Sequence, residues 1–188
     1  MPIMDVRYGS GALDERSKAD LAKRLTDVLL HMEGGAGTPA GRAFAWVLLT
    51  EIPAADWWIA GDTQQVGASV LGRFLVRVTV PEGYMNVEHK SEVHALVNEA
   101  IIAATGVSGP DAGKTTLVMI DEVPEGNWGW DGKTISLENI ADSVGLSKSG
   151  PRFKWSEKYF AAKARERAAA GYPIDTAGLL PSQRPDGV

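Results

Sequence analysis

The residue best placed to do chemistry in this chain is Pro2, which follows Met1 and opens an apolar segment. If Met1 is removed, the Pro2 nitrogen becomes a secondary amine, an ionisable group that no side chain provides. An α-amino group titrates near pH ~7.7–8.0, and burial or a nearby cation lowers that pKa. Such an amine suits a general acid or base near neutrality. The alternative is an ordinary strand that begins Met-Pro and keeps Met1, so that the nitrogen is an amide.

An internal repeat gives Pro2 a structural setting. Residues 47–58 and 118–129 share an apolar run followed by Glu, Ile or Val, Pro, two variable residues, Asp or Asn, and Trp. The repeated tryptophans are Trp57 and Trp128. They could wall a pocket or pack at a subunit interface, where aromatic residues are enriched.

A strand and a helix precede each copy of the repeat. Residues 2–8 and 74–80 are predicted strands, and apolar residues at helical spacing predict helices over about 14–32 and 87–105. Asp14 is the expected N-cap of the first helix, and Gly34-Gly35 its expected end.

The chain therefore contains two β-α-β units, at about 2–60 and 73–135, joined by a Gly-rich link at 61–72. We expect an α+β fold with a four-stranded mixed sheet and two helices on one face, because parallel pairing within a unit needs a helical crossover. The apolar strands at 44–49 and 116–120 are expected to lie centrally. The bare sheet face favours self-association.

A strand that opens on Pro2, a helix, a strand and a Glu-x-Pro hairpin with a tryptophan resemble the tautomerase superfamily. This family includes 4-oxalocrotonate tautomerase, macrophage migration inhibitory factor and cis-3-chloroacrylic acid dehalogenase. The resemblance covers residues 2–135, and the two-unit length resembles the fused members. It implies a homotrimer in which the proline amine is the catalytic acid or base. Only Pro2 matches the family's catalytic proline, because the strand of the second unit begins at Phe74.

The family's carboxylate-binding residues are replaced in this sequence. Its arginines, and the histidine and paired arginines of the dehalogenase, align with Ala12, Leu29, Trp46, Pro81, Tyr84 and Leu117. Because a bidentate arginine is the usual partner of a carboxylate, we expect a less anionic substrate. Arg73 and Arg77 could partly replace the missing cations, and Tyr84 could donate a hydrogen bond to a substrate oxygen or pack in a turn. The predicted substrate-binding residues are Trp57, Tyr84, Arg73 and Trp128.

Bulk composition argues against several other functions. The chain has 188 residues, a formal net charge of −5, no cysteine and three histidines. Without a basic run, nucleic acid is not an expected partner. No metal site or cofactor is expected, and neither is a membrane partner, because no apolar stretch approaches the ~20 residues of a membrane span. Without a signal-peptide pattern, we expect a cytoplasmic protein with a small-molecule substrate.

Residues 136–188 form a predicted C-terminal helical extension outside the tautomerase-like region 1–135. A short helix is expected within 136–150 and a second one over 156–170, with Ser156 as its cap. The tail 172–188 is expected to be extended or disordered. The extension could pack across a neighbouring subunit or lie over a pocket mouth.

Three functional hypotheses follow. The first is a tautomerase-like isomerase in which the Pro2 amine moves a proton during keto–enol or double-bond isomerisation of a small carbonyl compound. The second is a hydratase or dehalogenase of an unsaturated acid, for which Glu125 and Asp131 are weak water-activating candidates. The third is a non-catalytic binding or assembly member of the fold.

Overall fold

The computed structural model describes residues 2–33, 37–63, 74–114, 116–173 and 176–183. Within these ranges two β-α-β units are followed by a hairpin and two further helices. The elements are β1 (Ile3–Gly9), α1 (Glu15–Met32), α2 (Pro39–Phe44), β2 (Trp46–Ile52), β3 (Phe74–Pro81), α3 (Val87–Thr105), β4 (Thr116–Val123), β5 (Gly129–Trp130), β6 (Lys133–Thr134), α4 (Leu137–Val144) and α5 (Pro151–Ala169). None of the described helices is long and apolar enough to cross a membrane.

The main sheet has the strand order β2-β1-β3-β4. β1 is parallel to β2, β3 is parallel to β4, and β1 and β3 pair antiparallel at the centre. This confirms the predicted α+β fold with a mixed four-stranded sheet. The expectation that β2 and β4 lie centrally was wrong, because both are edge strands. Their alternate apolar residues face away from the helices, so that Leu48 is 51% and Leu117 is 59% exposed.

Both crossover helices begin where the sequence indicates. Asp14 caps α1 by accepting a hydrogen bond from the Ser17 N–H at 2.7 Å, and Asn86 caps α3 by accepting one from the His89 N–H at 2.8 Å. Helix α3 ends at Gly106, whose φ of 67° is left-handed and favours glycine. The expected end of α1 at Gly34-Gly35 lies outside the described residues.

The core lies between the sheet and the helices. Inward residues of β1 and β3 and residues of α1 and α3 form one buried apolar cluster, in which full burial of a side chain is worth about 1.5–3 kcal/mol. The fully buried members from these four elements are Met4, Val6, Leu21, Leu25, Leu29, Val76, Val78 and Val97.

The C-terminal extension packs into the same core. Phe153 and Phe160 of α5 and Leu180 of the tail belong to the cluster. Residues 179–180 of the tail, which was expected to be extended or disordered, are buried in this core. The division at 135/136 remains a prediction, since the two parts share one core.

Helix α5 also begins earlier than the sequence suggested. Gly150 is its N-cap and Pro151 stands in its first turn, where proline is favoured because its missing N–H needs no partner. Ser156, the expected cap, is a fully buried residue inside the helix, and its hydroxyl donates to the Arg152 carbonyl at 3.3 Å.

Candidate active site

Pro2 lies buried at the start of β1, between the neighbouring strands β2 and β3. Its carbonyl accepts a hydrogen bond from the Trp46 N–H at 3.2 Å. The antiparallel register pairs Ile3 with Thr79, and its continuation sets Pro2 opposite Val80. The proline that could carry chemistry is therefore held inside the protein at one defined end of the sheet.

The β5–β6 hairpin crosses this end of the sheet. It follows β4, which is one edge strand, yet Trp130 of β5 packs near β2, the opposite edge. The Trp130 ring centroid lies 5.9 Å from that of Phe44 and 6.4 Å from that of Trp46. The connection from β4 to this aromatic cluster must therefore pass the end where Pro2 lies.

Tyr84, in the turn after β3, reaches the same region and is 4% exposed. Its hydroxyl donates to the Glu33 carbonyl at 2.7 Å, and the Arg152 guanidinium carbon lies 5.5 Å from its ring centroid. Burial raises the pKa of the Tyr84 hydroxyl far above its usual value. The hydroxyl is thus neutral, and it donates its hydrogen bond to the main-chain carbonyl of Glu33.

Glu33 is a buried acid that the sequence reasoning missed. It caps the C-terminus of α1, is 6% exposed, and lines a cavity of about 10 Å³ together with Pro81, Tyr84 and apolar residues of α4. Burial raises the pKa of its carboxyl group, and the positive charge of the chain's amino terminus acts in the opposite direction. The sequence did contain one indication of where Glu33 lies. The helix of a β-α-β unit must end near the start of its first strand, and Glu33 is at the end of the first helix.

Trp128, on the segment that leads from β4 into β5, is also buried, with 9% of its surface exposed. The Trp128 indole N–H has no hydrogen-bond partner among the described residues. Burying an unpaired donor costs free energy, about 1–3 kcal/mol. Trp128 therefore holds a donor that a bound molecule could use.

The remaining predicted site residues lie elsewhere. Trp57 follows β2 at the far end of the sheet, and β1 spans roughly 20 Å between its ends at about 3.3 Å per residue. One chain therefore does not bring Trp57 to Pro2. Arg73 lies outside the described residues. Arg77 is engaged with Asp121, with 2.9 Å between the charged groups.

Helix α5 is attached to the turn that carries Tyr84. Lys163 donates to Glu82 at 2.6 Å, and the Tyr159 hydroxyl donates to it at 2.7 Å. Burial alone would raise the pKa of Glu82, but these two hydrogen bonds outweigh burial and lower it. The extension thus packs over the site of its own chain, which is one of the two placements expected for it.

Glu125, one of the two weak water-activating candidates, has a structural role. It is buried, and its carboxylate accepts the Leu137 N–H at 3.1 Å at the start of α4. The described parts of the chain contain no group of three His, Asp or Glu residues placed to hold a metal ion.

Comparison with known proteins agrees with this architecture. Residues 75–138 match the family described as Tautomerase enzyme. A "fused 4-OT wild type symmetric trimer" has 25% identity and a TM-score of 0.57, covering 73% of this chain and 97% of that chain. A native fused 4-OT crystal structure has 26% identity and a TM-score of 0.57, covering 70% and 94%. The family match and the structural matches together support a place for the chain in the tautomerase superfamily.

The chain resembles the fused two-unit members of this superfamily. The family match falls on the second unit, whereas the structural matches cover far more of the chain than one unit. A member of the cis-3-chloroacrylic acid dehalogenase (cis-CaaD) family has the same fold at 16% identity and a TM-score of 0.57, covering 89% of this chain and 99% of that chain. No curated protein matches the chain significantly.

Proposed function

We propose that this chain is a tautomerase-like isomerase in which Met1 is removed and the freed Pro2 amine moves a proton next to a carbonyl group. The observation that carries the proposal is the position of Pro2, buried at the start of β1 in a tautomerase fold. In its neutral form, the amine takes a proton from an enol or an α-carbon and returns it to another carbon of the same substrate. A positioned base of this kind contributes about 10²–10⁴-fold to the rate.

Trp128 is the proposed donor to the substrate oxygen. Negative charge develops on that oxygen as the proton moves, and a buried donor that is already in place stabilises it. The Trp128 N–H is such a donor, because it is buried and has no partner among the described residues. Tyr84 forms part of the pocket wall and does not donate to the substrate, because its hydroxyl already donates to the Glu33 carbonyl.

The surroundings of Pro2 favour a substrate without strong negative charge. Of the cations described near this end, Arg152 is bonded to the Met32 carbonyl and Lys163 to Glu82. Glu33 adds a buried acid, and the aromatic rings of Trp46 and Trp130 pack beside the first strand. This setting suits a neutral or aromatic carbonyl compound. The cavity lined by Glu33, Pro81 and Tyr84 at this end has a volume of about 10 Å³, which is room for about one water.

A homotrimer is the proposed assembly. The sheet face opposite the helices exposes Trp46, Leu48, Leu117 and Met119. The fused 4-OT that is 25% identical to this chain is a symmetric trimer. Covering these side chains removes apolar surface from water. In such an assembly Trp57 would meet a Pro2 site only from another copy, because it lies at the far end of its own sheet.

A hydratase or dehalogenase is the second candidate, favoured by one observation. The water-sized cavity is lined by the Glu33 carboxyl group, and Pro81, which also lines it, follows the residue opposite Pro2. A carboxylate and a protonated amine that both contact the same water molecule would suit the addition of that water to an unsaturated acid.

Ketonisation of an aryl enol that lacks a carboxylate, compared between wild type, Pro2→Ala and Pro53→Ala, tests the isomerase proposal. Pro53 is an exposed proline at the opposite end of the sheet, so its replacement controls for loss of a proline. We expect Pro2→Ala to lose at least about 100-fold in kcat/KM, the lower part of the general-base range, with Pro53→Ala unchanged. Equal rates for Pro2→Ala and wild type would overturn the proposal, and inactivity of all three would favour a non-catalytic member.

A further inference from the structure

The C-terminal tail, residues 176–183, contacts three of the elements that surround the candidate site. Leu179 and Leu180 are 8% and 0% exposed, so two apolar side chains anchor the tail in the protein. From this anchor the tail reaches α4, α5 and the turn that precedes Trp128. We propose that the C-terminal tail fixes the position of Trp128 and acts as a positioning element for its indole N–H. The inference rests on the proposed function, in which that N–H donates to the substrate oxygen.

The tail meets the Trp128 turn, residues 124–127, at its glycine. A Cβ at Gly126 would lie 3.6 Å from the Ala177 Cβ, which is ordinary van der Waals contact. The turn is closed by a hydrogen bond from the Asn127 N–H to the carbonyl of its first residue, Pro124, at 3.0 Å. Because Trp128 follows this turn directly, the contact with the tail acts close to the indole.

Helix α5 holds the tail at the residues that touch this turn. The Arg167 guanidinium donates to the Ala177 carbonyl. Gly178 has a φ of 92°, and a Cβ there would lie 2.7 Å from Arg167 Nη2. The tail therefore needs glycine at position 178, both for its backbone conformation and for the close approach of the arginine.

Helix α4 joins the tail to the Trp128 turn from the other side. The Ser182 hydroxyl donates to the Glu138 carboxylate, in the first turn of α4, at 2.5 Å. The preceding residue of α4, Leu137, donates its N–H to the buried Glu125 carboxylate of the Trp128 turn at 3.1 Å. The tail, the start of α4 and the Trp128 turn are thus connected in one set of contacts, and release of the tail loosens the other two.

This arrangement holds the main chain on both sides of Trp128. On its C-terminal side, the Trp128 carbonyl accepts from the Ile135 N–H of the hairpin at 3.1 Å. On its N-terminal side lies the turn that the tail contacts. A donor stabilises developing negative charge best when its position is set before the reaction begins. The Trp128 N–H is buried without a partner among the described residues, and the tail supplies the fixed backbone from which it projects.

Hydrogen exchange in the full-length protein tests the inference, with the Trp128 indole signal assigned by its loss in Trp128→Phe. In Gly178→Ala, the strain of a left-handed alanine exists only while the tail is bound. We therefore expect the Trp128 indole N–H and the Asn127 amide to exchange about 5–30-fold faster. Gly106→Ala is the matched control, because Gly106 has a φ of 67° and no neighbour within 4 Å of a Cβ. It should leave both rates unchanged.

Ser182→Ala is the second variant, because it removes the bond to Glu138 without backbone strain. It should accelerate exchange of the Trp128 indole N–H and the Asn127 amide by a smaller factor, about 2–10-fold for one hydrogen bond. An unchanged Trp128 exchange rate in whichever of the two variants folds would overturn the inference.

Two further outcomes would also overturn it. One is an equal acceleration at the amide of Val76 in the central strand β3, since this would show a loss of global stability and no selective release of the tail. The other is an equal acceleration in Gly106→Ala. The measurement uses neither substrate nor the Pro2 amine. A selective acceleration at Trp128 in a protein without isomerase activity would therefore support the role of the tail and refute only the proposed reaction.

Discussion

Gly83→Ala tests whether α5 packs on the turn that carries Tyr84. Gly83 has a φ of 73°, and a Cβ there would lie 2.7 Å from Tyr159 Cε1 and 3.1 Å from the Phe160 ring. Phe160 is fully buried and Tyr159 stacks on Trp155, so neither ring can move freely. The left-handed conformation costs about 1–2 kcal/mol for alanine, and overpacking costs about 1–3 kcal/mol more. We expect a total loss of about 2–5 kcal/mol.

Gly106→Ala is the matched control for this substitution. Gly106 has a φ of 67°, and nothing lies within 4 Å of a Cβ at that position. Urea denaturation at one fixed protein concentration should therefore show the larger loss for Gly83→Ala, by about 1–3 kcal/mol. In a Tyr159→Ala background this difference should shrink, because the main clashing ring is absent. Equal losses for the two glycine variants in the wild-type background would refute the docking of α5 on this turn.

Three further predictions concern the ion pair, the unpaired indole and the outer sheet face. The pKa of Glu82 is lowered in the folded protein, so its contribution to stability is present above the unfolded value near ~4.3 and disappears as pH falls through the folded value. Glu82→Gln should flatten the acid limb of stability against pH, and an unchanged limb would contradict the Lys163 pairing. Trp128→Phe should lower kcat about 10²–10³-fold while KM changes little, as loss of a donor to the developing oxyanion predicts, and an unchanged kcat would exclude that role. Leu117→Glu should dissociate the trimer in light scattering whereas Val87→Glu, exposed on α3, should not, and a trimer that survives Leu117→Glu would argue against this interface.

The sequence predicted the two β-α-β units well because their signals are local. Asp14 and Asn86 satisfy N–H groups three residues away, and the apolar spacing of α1 and α3 marks the face that packs on the sheet. Helix α2 was missed because six residues are too few to show helical periodicity. The strand order was missed for a different reason, since an edge strand that carries apolar residues on its exposed face has the sequence pattern of a central strand.

The candidate site was predicted only in part, because long-range packing creates it. Pro2 stood out by residue type and position, whereas the burial of Glu33 depends on α4, more than 100 residues further along the chain. The contact between Trp46 and Trp130 likewise requires the hairpin to cross from one edge of the sheet to the other. No short-range pattern carries that information.

The intact mass of the purified chain tests the central claim most directly. We predict a chain lighter by one methionine, with Pro2 at its amino terminus and a free secondary amine at the start of β1. A mass that includes Met1 would contradict it, because the Pro2 nitrogen would then be an amide without a basic electron pair.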